Sequence, residues 1–156
     1  MSRQGGGGSR ANGQDISGAV SFGLFLVLVG AIFLTTPNLP REIIGFFMDI
    51  SFVPGGGFIF LAPRSTHPEL YSALQLFCYG LAIVSAVVLA LRLYVGSPPG
   101  KKAESVSGII LWLGTGFLAG MLLSEAIGWF AFVGGFFVFL GISIIARVPV
   151  EAFLRP

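Results

Sequence analysis

The sequence predicts an all-α integral membrane protein with four transmembrane helices and a short interfacial amphipathic helix in the first outer loop. Three observations predict it. Apolar residues make up 54% of the 156 residues and charged residues only 10%, where a soluble domain carries about 25%. The few charges are spaced so that four long runs contain none. The basic residues gather at the chain ends and in one short connection. So few charges cannot coat a water-soluble globule, and the high hydrophobicity excludes intrinsic disorder.

Charge spacing sets each span. Between Asp15 and Arg41 lie 25 uncharged residues, between Glu69 and Arg92 22, between Glu104 and Glu125 20, and between Glu125 and Arg147 21. Crossing a hydrocarbon core takes about 20 apolar residues in a helix. A bilayer offers backbone amides no water, so each run is expected to be helical. The spans fall near 17–35, 70–94, 105–123 and 128–146. They form one transmembrane domain over 16–147, with a Gly-, Ser- and Arg-rich tail at 1–15 that reads as disordered and a short tail at 148–156. The first run is longer than the 7–15-residue core of a signal peptide and no A-x-A-like site follows it, so it reads as a retained helix.

Pro37 and Pro40 end the first span and fall within the outer connection, 36–69. Within it, Arg41–Phe52 reads as an amphipathic helix lying in the membrane surface. Glu42, Gly45 and Asp49 fall on its wet face, and Ile43, Ile44, Phe47 and Ile50 on its apolar face. Val53–Glu69 is rich in turn residues, including Pro54-Gly55-Gly56-Gly57. Phe58-Ile59-Phe60-Leu61 is apolar enough to dip back onto the helices. A fifth span over 43–62 competes with this reading, but it would carry Asp49 in its interior and be broken by the Pro-Gly run.

Four spans put both chain ends on one side. That side receives Arg3, Arg10, Arg92, Lys101, Lys102, Arg147 and Arg155, and the other receives Arg41 and Arg64. The bias of basic residues toward the cytoplasm therefore predicts a multi-pass protein of the cell membrane with both termini cytoplasmic. The net charge of +2 is accounted for by these flanking residues and implies no nucleic-acid partner. Ser124-Glu125-Ala126-Ile127-Gly128 is so short a link that the last two helices must be antiparallel neighbours. Ser124 is placed to cap the last helix, with Glu125 in its first turn.

Inside the spans, small residues form the clearest pattern. Ala82, Ala86 and Ala90 recur every four residues in the second span. Gly108, Gly116 and Gly120 line up in the third, and Ala131, Gly134 and Gly141 in the fourth. Apolar side chains gain little by leaving lipid for another helix, so association relies on close backbone approach at small residues. These positions are expected to be faces for helix packing or for a partner. Gln75, Tyr79 and Thr115 form a candidate polar seam, either bonding across helices or meeting a solute.

The four charge-free runs hold no Asp, Glu, Lys or Arg at membrane depth, whereas pumps and proton-coupled carriers usually hold ionisable groups there. His67 and Cys78 are single, so no zinc set of three or four ligands and no internal disulfide is expected. His67 reads as a solvated loop residue. No Ser-His-Asp set, paired carboxylates or CxxC occurs. The expectation is no enzyme, no metal and no cofactor. The functional reading is a non-catalytic structural or accessory subunit in the lipid bilayer, packing as a homo-oligomer or in a larger membrane complex. The alternative is a small oligomeric transporter or channel for a neutral or weakly polar solute. A third possibility is lipid handling through the amphipathic helix and the Lys101–Lys102 pair.

Overall fold

The computed structural model describes residues 8–48, 51–52, 60–61 and 67–153, except for the side chains of 8–17 and of the two short paired segments. Five helices account for nearly all of it: α1 (Gly8–Thr35), α2 (Leu39–Met48), α3 (Pro68–Tyr94), α4 (Pro99–Leu123) and α5 (Trp129–Phe153). Four of them, α1, α3, α4 and α5, are long and apolar enough to cross a membrane. The protein is a multi-pass membrane protein built from helices.

The helices overrun the charge-free runs. α1 starts at Gly8, inside the segment read as a tail, α4 at Pro99, and α5 continues past Arg147 to Phe153. Absence of charge marks the part immersed in oil. A helix already formed there extends into the interface at the small cost of one residue per added hydrogen bond. α3, at 27 residues, is about 40 Å long and exceeds a hydrocarbon core of about 30 Å. α5 even carries Pro149 within its last turns, where the missing N–H interrupts the ladder.

Backbone chemistry sets the helix ends. Pro68 and Pro99 open α3 and α4 at first-turn positions, where an N–H would have no intrahelical partner. α3 closes in a Schellman motif. The Ser97 N–H donates to the Arg92 carbonyl at 2.9 Å and the Gly96 N–H to that of Leu93 at 3.3 Å, with Gly96 at φ +69°. α4 closes the same way: Ala126 N–H to the Met121 carbonyl at 2.9 Å and Glu125 N–H to that of Leu122 at 3.1 Å. Here Glu125 takes the left-handed conformation at φ +59°. Ser124 and Glu125 therefore finish α4 and do not start α5, and the Ser124 hydroxyl donates back to the Met121 carbonyl at 3.1 Å. Since α5 starts only at Trp129, neither residue lies close enough to cap it.

A single helix through 43–62 does not form. α2 stops at Met48, and Ser51–Phe52 pairs antiparallel with Phe60–Leu61. Asp49, the Pro54–Gly57 turn, Phe58, Ile59 and Arg64 lie outside the described residues, as do Arg3 and Arg155.

The spanning helices pack mainly with their neighbours in chain order. α3 lies between α1 and α4, and α4 between α3 and α5. α4 is the most buried helix and α1 the least. α2 crosses the end where α3 begins and α4 finishes. Its Phe46 enters a cluster with Tyr71, Leu118, Ala119, Leu122 and Phe132, while its Leu39 packs with Ile32 and Ala73 in the angle between α1 and α3.

Candidate functional site

The α3–α4 seam is built by setting small residues of α4 opposite larger ones of α3. Gly108 faces Ser85, whose Oγ lies 3.2 Å from where a Cβ would stand. Gly116 faces Tyr79 and Cys78, with the tyrosine ring 2.8 Å from that point, and Gly120 faces the amide of Gln75. Ala82, between them, and Val88, one turn beyond Ser85, are buried. The α3 residues on the seam follow a spacing of three and four, which keeps a stripe on one side of a helix. Ala86 and Ala90 do not belong to it and are exposed. A strict four-residue repeat drifts by about 40° per step around a helix of 3.6 residues per turn, so the alanine series leaves the seam after Ala82.

The other side of α4 meets α5 by the same device in both directions. Gly114 receives the ring of Phe139, and Gly135 receives Leu118, 2.8 Å from where its Cβ would stand. Gly134 and Gly141, the glycines singled out in this helix, have nothing within 4 Å of that point, and Ala131 is exposed. The one-residue step from Gly134 to Gly135 is about 100° around the helix. Composition shows that glycines are there, but only tertiary placement shows which of two adjacent ones packs. Gly80, against Leu28 of α1, was missed because it stands alone in its span.

The polar candidates are held close to the backbone. Thr115 is buried and its hydroxyl donates to the Leu111 carbonyl at 2.8 Å. Ser143 does the same to Leu140 at 2.8 Å. Gln75 and Tyr79 are half-buried and both lie against α4. The structure thus brings Gln75 and Tyr79 to one seam, beside a Thr115 whose hydrogen is already committed.

Two polar clusters lie at opposite ends of the molecule. At the α2 end, His67 is buried. Its Nδ1 donates to Glu42 Oε2 at 2.7 Å, and its ring sits 2.9 Å from where a Cβ on Gly45 would stand. Phe46 lies edge-on to both His67 and Tyr71, and Trp129 stacks on Phe132 with centroids 5.4 Å apart. The reading of His67 as a solvated loop residue is therefore corrected: it bridges α2 to the start of α3. A sequence separation of 25 residues across a Pro- and Gly-rich connection gives no local signal of this pairing.

At the other end, Arg92 does not simply reach for water. Its guanidinium donates to the Lys101 carbonyl, to Ser105 Oγ at 2.9 Å and to Glu104 at 3.3 Å, which ties the end of α3 to the first turns of α4. Among the described residues no group of three His, Cys, Asp or Glu side chains could hold a metal ion. The chain matches no protein-family model, no curated protein and no solved structure.

Proposed function

We propose that this chain is a small non-catalytic membrane subunit that associates with itself or with a larger membrane complex. The observation that carries the reading is the open glycine face of α5. Gly134 and Gly141 are seven residues apart on one side of the helix, with no neighbour within 4 Å, beside exposed Ala131, Phe137 and Val138. α1, the other outer helix, is similarly unfilled at Gly23 and Gly30. Small residues allow the close approach that drives association in lipid, and the internal seams already use a different set of glycines. The basic residues support a cell-membrane protein with cytoplasmic termini. The transporter reading has less support, since Gln75 and Tyr79 are packed against α4 and Thr115 is bonded within its own helix.

Energy transfer between labelled copies in liposomes, together with crosslinking in native membranes, tests the proposal. Association that weakens in a Gly134→Leu, Gly141→Leu chain supports it. A chain that stays monomeric at every protein-to-lipid ratio and crosslinks to no partner overturns it.

A further inference from the structure

We propose that the groove over the first turns of α4 is a binding site for one anionic phospholipid, taking an acyl chain between α3 and α5 and the phosphate at Lys102. The groove is an open surface furrow of about 550 Å³ and its lining is wholly apolar. Val106 of α4 forms its floor, Leu89 and Leu93 of α3 one wall, and Pro149, Val150 and Phe153 of α5 the other. It exists because α3 and α5 both pack on α4 and scarcely on each other. It lies where the charge-free runs end at Arg92 and Arg147, so one end of it opens to the bilayer and the other to headgroups.

Charge complementarity selects the occupant. Lys102 lies one turn, about 6 Å, from Val106 toward water on the same face of α4, and Arg147 lies three residues from Val150 on α5. Among the described side chains, this end carries Arg92, Lys101, Lys102 and Arg147 with two carboxylates, Glu104 and Glu151. Two further apolar grooves lie at the α2 end: one of about 270 Å³ between α1, α2 and α3, lined by Ile32, Leu39 and Ala73 among others, and one of about 220 Å³ lined by Phe46, Tyr71 and Trp129 among others. That end sets Arg41 against Glu42, Glu69 and Glu125. Apolar grooves at either end suit a hydrocarbon chain, but among the described side chains the rim of the groove over α4 is the one that attracts an anionic headgroup. A basic residue near an anionic headgroup strengthens association about fivefold.

Tryptophan quenching in bilayers reads this directly. The full chain carrying Trp112→Phe, Trp129→Phe and Phe153→Trp reports from the mouth of the groove, and the chain with Trp112→Phe alone reports from Trp129 at the far end. Both are reconstituted in dioleoylphosphatidylcholine containing increasing brominated phosphatidylglycerol or, separately, brominated phosphatidylcholine. The expected result is about fivefold or greater preference for phosphatidylglycerol at the groove and none at Trp129, with the preference reduced about fivefold by Lys102→Gln and weakened by salt. Val106→Phe, which fills the floor and leaves every charge, should lower quenching at the groove by either lipid. Equal quenching by the two lipids at the groove overturns the proposal. So does a preference that survives Lys102→Gln with Arg147→Gln, or quenching indifferent to Val106→Phe in a chain of unchanged helicity.

Discussion

Glu125 stands in a backbone conformation that suits glycine. Gly96, at the equivalent place in the other Schellman motif, shows the ordinary solution. A side chain in the left-handed region costs about 1–2 kcal/mol, while glycine loses more freedom on folding. Glu125→Gly is therefore expected to stabilise the protein by up to about 1 kcal/mol, seen as a higher midpoint of thermal unfolding in detergent. A lower midpoint would mean that the carboxylate makes a contribution larger than the strain. At the α2 end, Glu42 and His67 act as one unit. Removing Glu42 takes this bond from the buried His67, and removing His67 takes it from a partly buried carboxylate, at a cost of about 1–3 kcal/mol. In a double-mutant cycle, Glu42→Ala and His67→Ala should each destabilise, and together cost clearly less than their sum. Strict additivity would show that the 2.7 Å bond adds nothing. Neither feature was legible in the sequence. A positive φ at a glutamate breaks the residue preference that would announce it, and the His67–Glu42 bond depends on how a long connection returns.

At the scale of the helix, one kind of residue has two fates. Gly116 is filled by Tyr79 and Cys78 of α3, whereas Gly134 faces open space. Gly116→Leu should overpack the α3–α4 seam and destabilise the isolated chain by about 1–3 kcal/mol. Gly134→Leu should leave the isolated chain near neutral and replace glycine with a better helix former. Unfolding in detergent under monomeric conditions separates the two, and equal destabilisation would contradict the packing described. The spans themselves were plain in the sequence, because transferring charge into hydrocarbon is costly enough to leave long blanks. Their ends were not, because helices run on through an interface that tolerates both charge and apolar surface. The direction each small residue faces was only partly legible. Gly108, Gly116 and Gly120 share a stripe that meets α3, while the alanine series of α3 winds off it.

For the whole molecule, four spans are expected to place α2 on one side of the membrane and both chain ends on the other. Cysteine labelling in sealed vesicles checks this in a Cys78→Ala background, although the buried thiol of Cys78 should itself label slowly. Cysteines introduced at Ser2 and at Ser97 should react from the same side, and one at Arg41 from the opposite side. Reaction of Ser2→Cys and Ser97→Cys from opposite sides would remove one span from the topology. The arrangement of helices in chain order was legible only for α4 and α5, joined by a tight turn. The long link between α1 and α3 left open which helix α1 would meet.

Packing in chain order also bears on how the protein is made. As a growing chain leaves the ribosome, α1 waits for α3, α4 then folds back on α3 across a short turn, and α5 on α4. Among the described helices, none that arrives late has to be threaded between earlier ones, so each addition completes what is already inserted. A nascent chain stopped after Leu123 should therefore be a stable membrane-embedded intermediate, with the Phe139-receiving face of α4 left to lipid until α5 is synthesised.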